Sequence, residues 1–304
     1  MSFLLSSAHR MAWSVWFLTA LLAAVPASVL AEGPSSAEYG VVLNLSGKQR
    51  MLSQKMSKEI MLVALGIQAE QNLENLHKTS ALFDKTLKGL RAGDADLRLP
   101  PTSSARILRQ LDKVDEIWGK FHSVVQEILG NKTVSAEQVA FVAKENLPLL
   151  KEMNKTVGLY ENDAAEGGLK SAPGLAATIN LSGKQRMLTQ KMSKEFLLVA
   201  YGFVPEDNKL ALLETYTLFQ RTLKGLLDGD ETLGLPGTKE PAIREQLGVV
   251  GKLWEQFKPL VEYGADYKTA SLEQDKIKAL AETNLPLLAE MNKAVGMYES
   301  EAAK

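Results

Sequence analysis

"NLSGKQRMLSQKMSKE" (Asn44–Glu59) and "NLSGKQRMLTQKMSKE" (Asn180–Glu195) match at fifteen of sixteen positions and stand 136 residues apart. The same offset links their surroundings. "FDKTLKGLRAGD" (Phe83–Asp94) returns as "FQRTLKGLLDGD" (Phe219–Asp230), and Trp118 with Phe121 returns as Trp254 with Phe257. Near the end the offset becomes 138, where "NLPLLKEMNKTVGLYE" (Asn146–Glu161) returns as "NLPLLAEMNKAVGMYE" (Asn284–Glu299). Self-similarity at a fixed spacing marks one structural unit carried twice. The expected organisation is a first module at 39–165, a linker at 166–174 and a second module at 175–304. The linker "EGGLKSAPG" has the Gly and Pro punctuation of a joint.

Each module reads as four helices. In the first copy they fall at roughly 39–66, 72–92, 105–129 and 135–162. Ser135 is a candidate N-cap with Gln138 in the capping-box position. Gly93-Asp94 and Gly229-Asp230 are helix stops. Pro148 and Pro286 fall inside the fourth helix of each copy, where proline removes a backbone bond. Asn146 and Asn284, just upstream, are placed to satisfy the carbonyls so released. Trp118 with Phe121, and Trp254 with Phe257, read as core anchors. No run alternates like a strand. The fold class is therefore all-α, two tandem antiparallel four-helix bundles forming a pseudo-two-fold pair.

The repeated helix has two faces, one ordinary and one less so. At about 100° per residue, Val42, Leu45, Leu52, Met56, Ile60, Val63 and Ile67 share one arc, the seam of a bundle core. Its methionines read as gap-filling packing. Asn44, Gly47, Arg50, Met51, Gln54 and Lys58 form a second stripe. A mid-helix glycine costs about 1 kcal/mol relative to alanine and suits a close approach by a backbone or a ligand. Arg50 lies three residues on, on the same face. Bare backbone beside a planar guanidinium suits a small flat oxyanion. The stripe reads equally as a helix-packing face. Recent duplication alone accounts poorly for it, because only about half the positions between 60 and 102 match their counterparts.

Composition narrows the function. The 35 Lys plus Arg nearly balance 36 Asp plus Glu, so no nucleic-acid footprint is present. There is no cysteine and there are only three histidines, which excludes thiol chemistry and disfavours a metal or haem. No catalytic triad, phosphate loop or carboxylate dyad stands out, so neither an enzyme nor a cofactor is expected. At the N-terminus, His9 and Arg10 precede the apolar "MAWSVWFLTALLAAV" (Met11–Val25), and "VLA" (Val29–Ala31) offers a cleavage site. A spanning helix needs about 20 apolar residues, so 1–31 reads as a cleaved signal peptide and the remainder as periplasmic; the alternative is a retained anchor.

The stretch from Ile179 to Glu195, and its partner from Leu43, resembles the signature of the PilJ-type domain, the N-terminal sensing region of type IV pilus methyl-accepting chemotaxis transducers. It is similar to the periplasmic modules of NarX/NarQ-type nitrate sensors. The family stretch reads close to I-N-L-A-G-x-Q-R-M-L-S-Q-R, and the later repeated blocks resemble later family blocks. The resemblance covers both modules. It implies a four-helix bundle that senses a small anion, with nitrate held between two first helices across a two-fold axis. The implied ligand-binding positions are Arg50 with Gly47, and Arg186 with Gly183. Ser46 and Ser182 depart from the family's usual alanine. Such sensors also continue into a membrane helix and a signalling part, and the sequence to Lys304 shows neither, so signalling by this chain alone is not expected.

The expectation is an exported nitrate- or nitrite-binding protein. One site would lie between the two first helices, with Asn44, Gln54, Asn180 and Gln190 orienting the arginines. The competing expectation is a ligand-independent interaction or dimerisation module docking on a membrane sensor, chemoreceptor or pilus-linked system. The residues suit nitrate, nitrite, formate or a small carboxylate alike. They leave open whether the modules pair within one chain or between chains, as a homo-oligomer.

Overall fold

Ser35 starts the first helix three residues earlier than the periodicity predicts. Its hydroxyl accepts from the Glu38 amide while the Glu38 carboxylate accepts from the Ser35 amide, a full capping box. The computed structural model describes residues 33–170 and 172–304. The signal-peptide reading at 1–31 lies outside the described residues. Among those residues the chain is helical throughout, with no strand: α1 Ser36–Ala64, α2 Ala69–Ala92, α3 Ala105–Asn131, α4 Ala136–Glu166, α5 Leu175–Tyr201, α6 Pro205–Asp228, α7 Pro241–Ala265 and α8 Gln274–Ala302. None of these helices is long and apolar enough to cross a membrane.

The local signals act as their chemistry dictates. Ser135 and Gln138 form the second capping box, at α4. Gly93 and Gly229 stop α2 and α6 at φ 82° and 96°, conformations that favour glycine. Helices α1–α4 pack in sequence, with α4 closing on α1, and α5–α8 repeat the arrangement. Each bundle holds an aromatic core. Phe83 meets Trp118 with ring centroids 4.3 Å apart, and Phe219 meets Trp254 at 4.5 Å. Trp118 donates to Asp84, whereas Trp254, opposite Gln220 in the repeat, finds no acceptor among the described residues.

The most extensive helix pairing joins the two bundles, α1 against α5. The two helices run parallel. Arg50 reaches the carbonyl of Asn180, and Lys58, two turns on, reaches Asn284, which itself bonds to Thr189 and Ser193. The register thus advances in the same direction along both. Helix α8 flanks α1, and α4 flanks α5. The α4–α5 connection is pinned to the start of α1, where the Ser36 hydroxyl donates to the Gly168 carbonyl at 2.5 Å. A Cβ at Gly168 would lie 2.8 Å from the Tyr39 ring, so glycine is required there. The pairing of the two repeats is therefore internal to one chain and nearly two-fold.

Two local expectations are corrected. Asn146 donates to the carbonyls of Val142 and Ala143 and not to that of Lys144, the carbonyl four residues before Pro148. Asn284 leaves its own helix altogether and donates to the Thr189 carbonyl and the Ser193 hydroxyl of α5. Helix α5 of the same bundle supplies acceptors that compete with those beside the proline.

Candidate functional site

The second stripe of each repeated helix is buried against its counterpart. Gly47, Arg50, Met51, Gln54 and Lys58 are buried in α1, and their equivalents are buried in α5. The contacts at the centre are reciprocal. Arg50 donates through Nη2 to the Asn180 carbonyl at 3.1 Å and through Nη1 to Asn154 Oδ1 at 3.0 Å. Arg186 donates through Nη2 to the Asn44 carbonyl at 3.0 Å and through Nη1 to Asn292 Oδ1 at 3.1 Å. Both Nη2 groups converge on both glycines. A Cβ at Gly47 would stand 3.3 Å from that of Arg50 and 3.7 Å from that of Arg186, and Gly183 mirrors this at 3.3 and 3.6 Å.

Neither arginine is neutralised by contact. Their terminal nitrogens go to neutral oxygens, and each Nε is buried without a partner among the described residues. Only 3% of Arg50 and 2% of Arg186 is exposed. Burial pushes the Arg50 guanidinium down to about 10 and that of Arg186 to about 9, the latter further lowered by the charge of Arg50. Both stay cationic at neutral pH. A pair of buried like charges is costly unless something of opposite sign offsets it. Charged forks with unused N–H groups beside bare backbone can receive a small oxyanion. Among the described residues no cluster of metal-ligating side chains exists.

The expected orienting residues are distributed differently. Asn44 and Asn180 hold the arginines through their main-chain carbonyls. Their side-chain amides turn to Glu299 and Glu161, with the Asn180–Glu161 bond at 2.5 Å. Gln54 and Gln190 do not touch the arginines. They lie one turn further along, whereas helical side chains lean back towards the N-terminus. Among the described residues, Gln54 donates to Ser53, and Gln190 donates to Thr189 and Asn284. The residues that fix the guanidiniums instead are Asn154, at the exposed rim, and the half-buried Asn292. Their signal was the "EMN" shared by both fourth-helix blocks, with Glu161 and Glu299 seven residues on along the same face.

A second polar layer lies two turns from the arginines. Lys58 donates to Asn284 at 2.9 Å and Lys194 to Asn146 at 3.2 Å, each crossing from one bundle to the other. Both ammonium groups are buried, and burial pushes both down to about 8.

Residues 35–142 and 169–283 each match the family described as Type IV pili methyl-accepting chemotaxis transducer N-term. Among curated proteins, the chain is similar to methyl-accepting chemotaxis protein McpN of Pseudomonas aeruginosa, at 29% identity over 117 residues. That alignment covers 38% of this chain and 21% of the relative. It is also similar to Protein PilJ of the same organism, at 25% identity over 218 residues, covering 69% of this chain and 30% of the relative. The chain thus spans less than a third of the length of either relative.

Proposed function

This chain belongs to the Type IV pili methyl-accepting chemotaxis transducer N-term family, whose domain it carries twice, and from that premise we propose that it binds one small oxyanion, nitrate or nitrite, between α1 and α5. The observation that carries the reading is the reciprocal arginine pair. Two buried guanidiniums converge on two glycines and, among the described residues, keep an unused Nε each and pair with no carboxylate. The anion supplies the missing charge and accepts the free N–H groups. The duplication then has a reason, since a site on a two-fold axis needs the helix twice, and one chain holds both copies. The protein acts after export, as a periplasmic binding or sensing module whose output passes through a membrane-bound partner, and its similarity to a methyl-accepting chemotaxis protein supports an output in chemotaxis or pilus signalling.

Isothermal titration calorimetry with nitrate and nitrite tests this. One anion per chain is expected, and Arg50→Ala or Arg186→Ala each abolishes binding. Unchanged affinity in both variants rejects the site.

One observation favours a second reading. Arg50 and Arg186 already bridge the bundles through direct bonds to carbonyls, which is what a ligand-independent packing face would show. Thermal unfolding with nitrate, nitrite and chloride separates the two. An anion at 100 times its Kd adds about 2.7 kcal/mol of stability, and a face that only packs gains nothing from any of them.

A further inference from the structure

We propose that Glu161 and Glu299 restrict the paired-arginine site to singly charged anions. The proposal rests on the anion-binding reading above and concerns which anions that site rejects.

The cations by themselves favour the opposite preference. Arg50 and Arg186 lie together, and Lys48 and Lys184 stand half-buried on the next residue after each glycine. The ammonium of Lys48 is lowered by burial and then by the charge of Arg186, and that of Lys184 by burial and then by Arg50, so each lysine feels the arginine of the other bundle. Coulomb attraction grows with ligand charge. A pocket of four cations with nothing to offset them would hold sulfate more tightly than nitrate.

The two carboxylates are placed to cut that advantage, so that the larger desolvation cost of the doubly charged ion decides. Glu161, from α4, accepts from the side chain of Asn180, and the carbonyl of the same Asn180 accepts from Arg50. Glu299, from α8, accepts from Asn44, whose carbonyl accepts from Arg186. Each carboxylate is therefore one residue away from a guanidinium without touching it. A direct ion pair would be the stronger bond, but it would consume the donors that an anion needs. Held by a neutral amide, the carboxylate leaves the donors free and still repels whatever anion sits on them. A singly charged ion meets that repulsion once and a doubly charged ion meets it twice. The same relay is built in both halves, each time from three different helices.

The two carboxylates are not equivalent. Arg98 donates to Glu299 at 3.0 Å, and the repeat position of Arg98 is Gly234, so Glu161 has no such partner among the described residues. Glu161 carries the larger part of the discrimination.

Titration calorimetry with nitrate and with sulfate, at fixed ionic strength, on wild type, Glu161→Gln, Glu299→Gln and the double variant tests the proposal. Glutamine keeps the acceptor for the asparagine amide, and the shape difference between the anions cancels when ratios are compared across variants. The nitrate-over-sulfate affinity ratio should fall about tenfold or more in the double variant, with Glu161→Gln giving the greater share. A side chain that merely holds the fold would weaken both anions together and leave the ratio alone. If the double variant does not fold by circular dichroism, Glu161→Gln carries the test. A ratio unchanged within about twofold, with nitrate still bound, overturns this proposal only. Wild type that binds neither anion overturns the anion-binding reading, and this proposal falls with it.

Discussion

Arg50 of the first repeat ends on the main-chain carbonyl of Asn180 in the second, and the bond is returned from Arg186 to Asn44. The two bundles are thus joined through buried charges, by groups that the sequence repeat places in register.

Gly47 and Gly183 let those charges lie against bare backbone. Gly47→Ala puts a methyl group 3.3 Å from Arg50 Nη2, close enough to displace the flexible end of the side chain but not the helix. Alanine also favours the helix by about 1 kcal/mol. Anion affinity should fall by about tenfold or more while stability without anion holds or rises. Calorimetry and urea denaturation on the same variant read the two effects separately.

Asn154→Leu and Asn292→Leu remove the side-chain acceptors of the Nη1 groups. A buried donor without a partner costs about 1–3 kcal/mol, and the guanidinium is freed to turn. Both variants should bind nitrate more weakly. The loss of stability should be greater for the half-buried Asn292 than for Asn154 at the exposed rim, where water replaces the lost acceptor. Chemical denaturation compares them.

Asn146 and Asn284 occupy equivalent places and make different bonds. Asn284 accepts from Lys58 and Gln190 and donates to Thr189 and Ser193, whereas Asn146 accepts from Lys194 and donates within its own helix. Asn284→Ala should cost more stability than Asn146→Ala, by about 1–2 kcal/mol. Equal losses in urea melts would contradict the inequivalence.

Lys58 and Lys194 give a pH signature. Burial holds both at about 8 against an ordinary value of 10.5, although Glu59 and Glu195 partly counter it. Between those values the unfolded chain binds more protons than the folded one, so stability rises with pH across about 8 to 10.5. Below 8 both states are charged, and the full cost of burying the ammonium groups persists. Arg50 and Arg186, lowered to about 10 and 9, act in the same direction. Lys58→Met/Lys194→Met should therefore be more stable than wild type at pH 7, on the order of 2 kcal/mol per lysine. That advantage should shrink towards pH 10. Denaturation midpoints at several pH values follow it.

The repeat and the helix periodicity made the bundles readable, because burial of one apolar arc per helix leaves few alternatives. The second stripe was readable as special through Gly47 and Arg50, two residues that a solvent face does not ask for. Its partners were not. Asn154 meets Arg50 from a helix about a hundred residues away in sequence, and Glu161 on the same helix reaches it only through Asn180; no local pattern tells an asparagine that holds a guanidinium from one that faces water. Gln54 failed for a geometric reason. It shares the stripe, but the lean of helical side chains carries Arg50 away from it. The Ser35 cap was legible as Ser-x-x-Glu and simply lies upstream of the apolar periodicity that set the predicted start.

The short α4–α5 connection makes the meeting of Arg50 and Arg186 a unimolecular event. A site assembled from two separate chains is diluted away with its protein, whereas here the partner helix is always present at high effective concentration. Covalent joining also frees each half to change alone. A substitution in a homodimer appears on both sides of the axis at once, but in this chain Arg98 stands where the other half has Gly234. The tandem arrangement thus lets a symmetric interface acquire a left and a right.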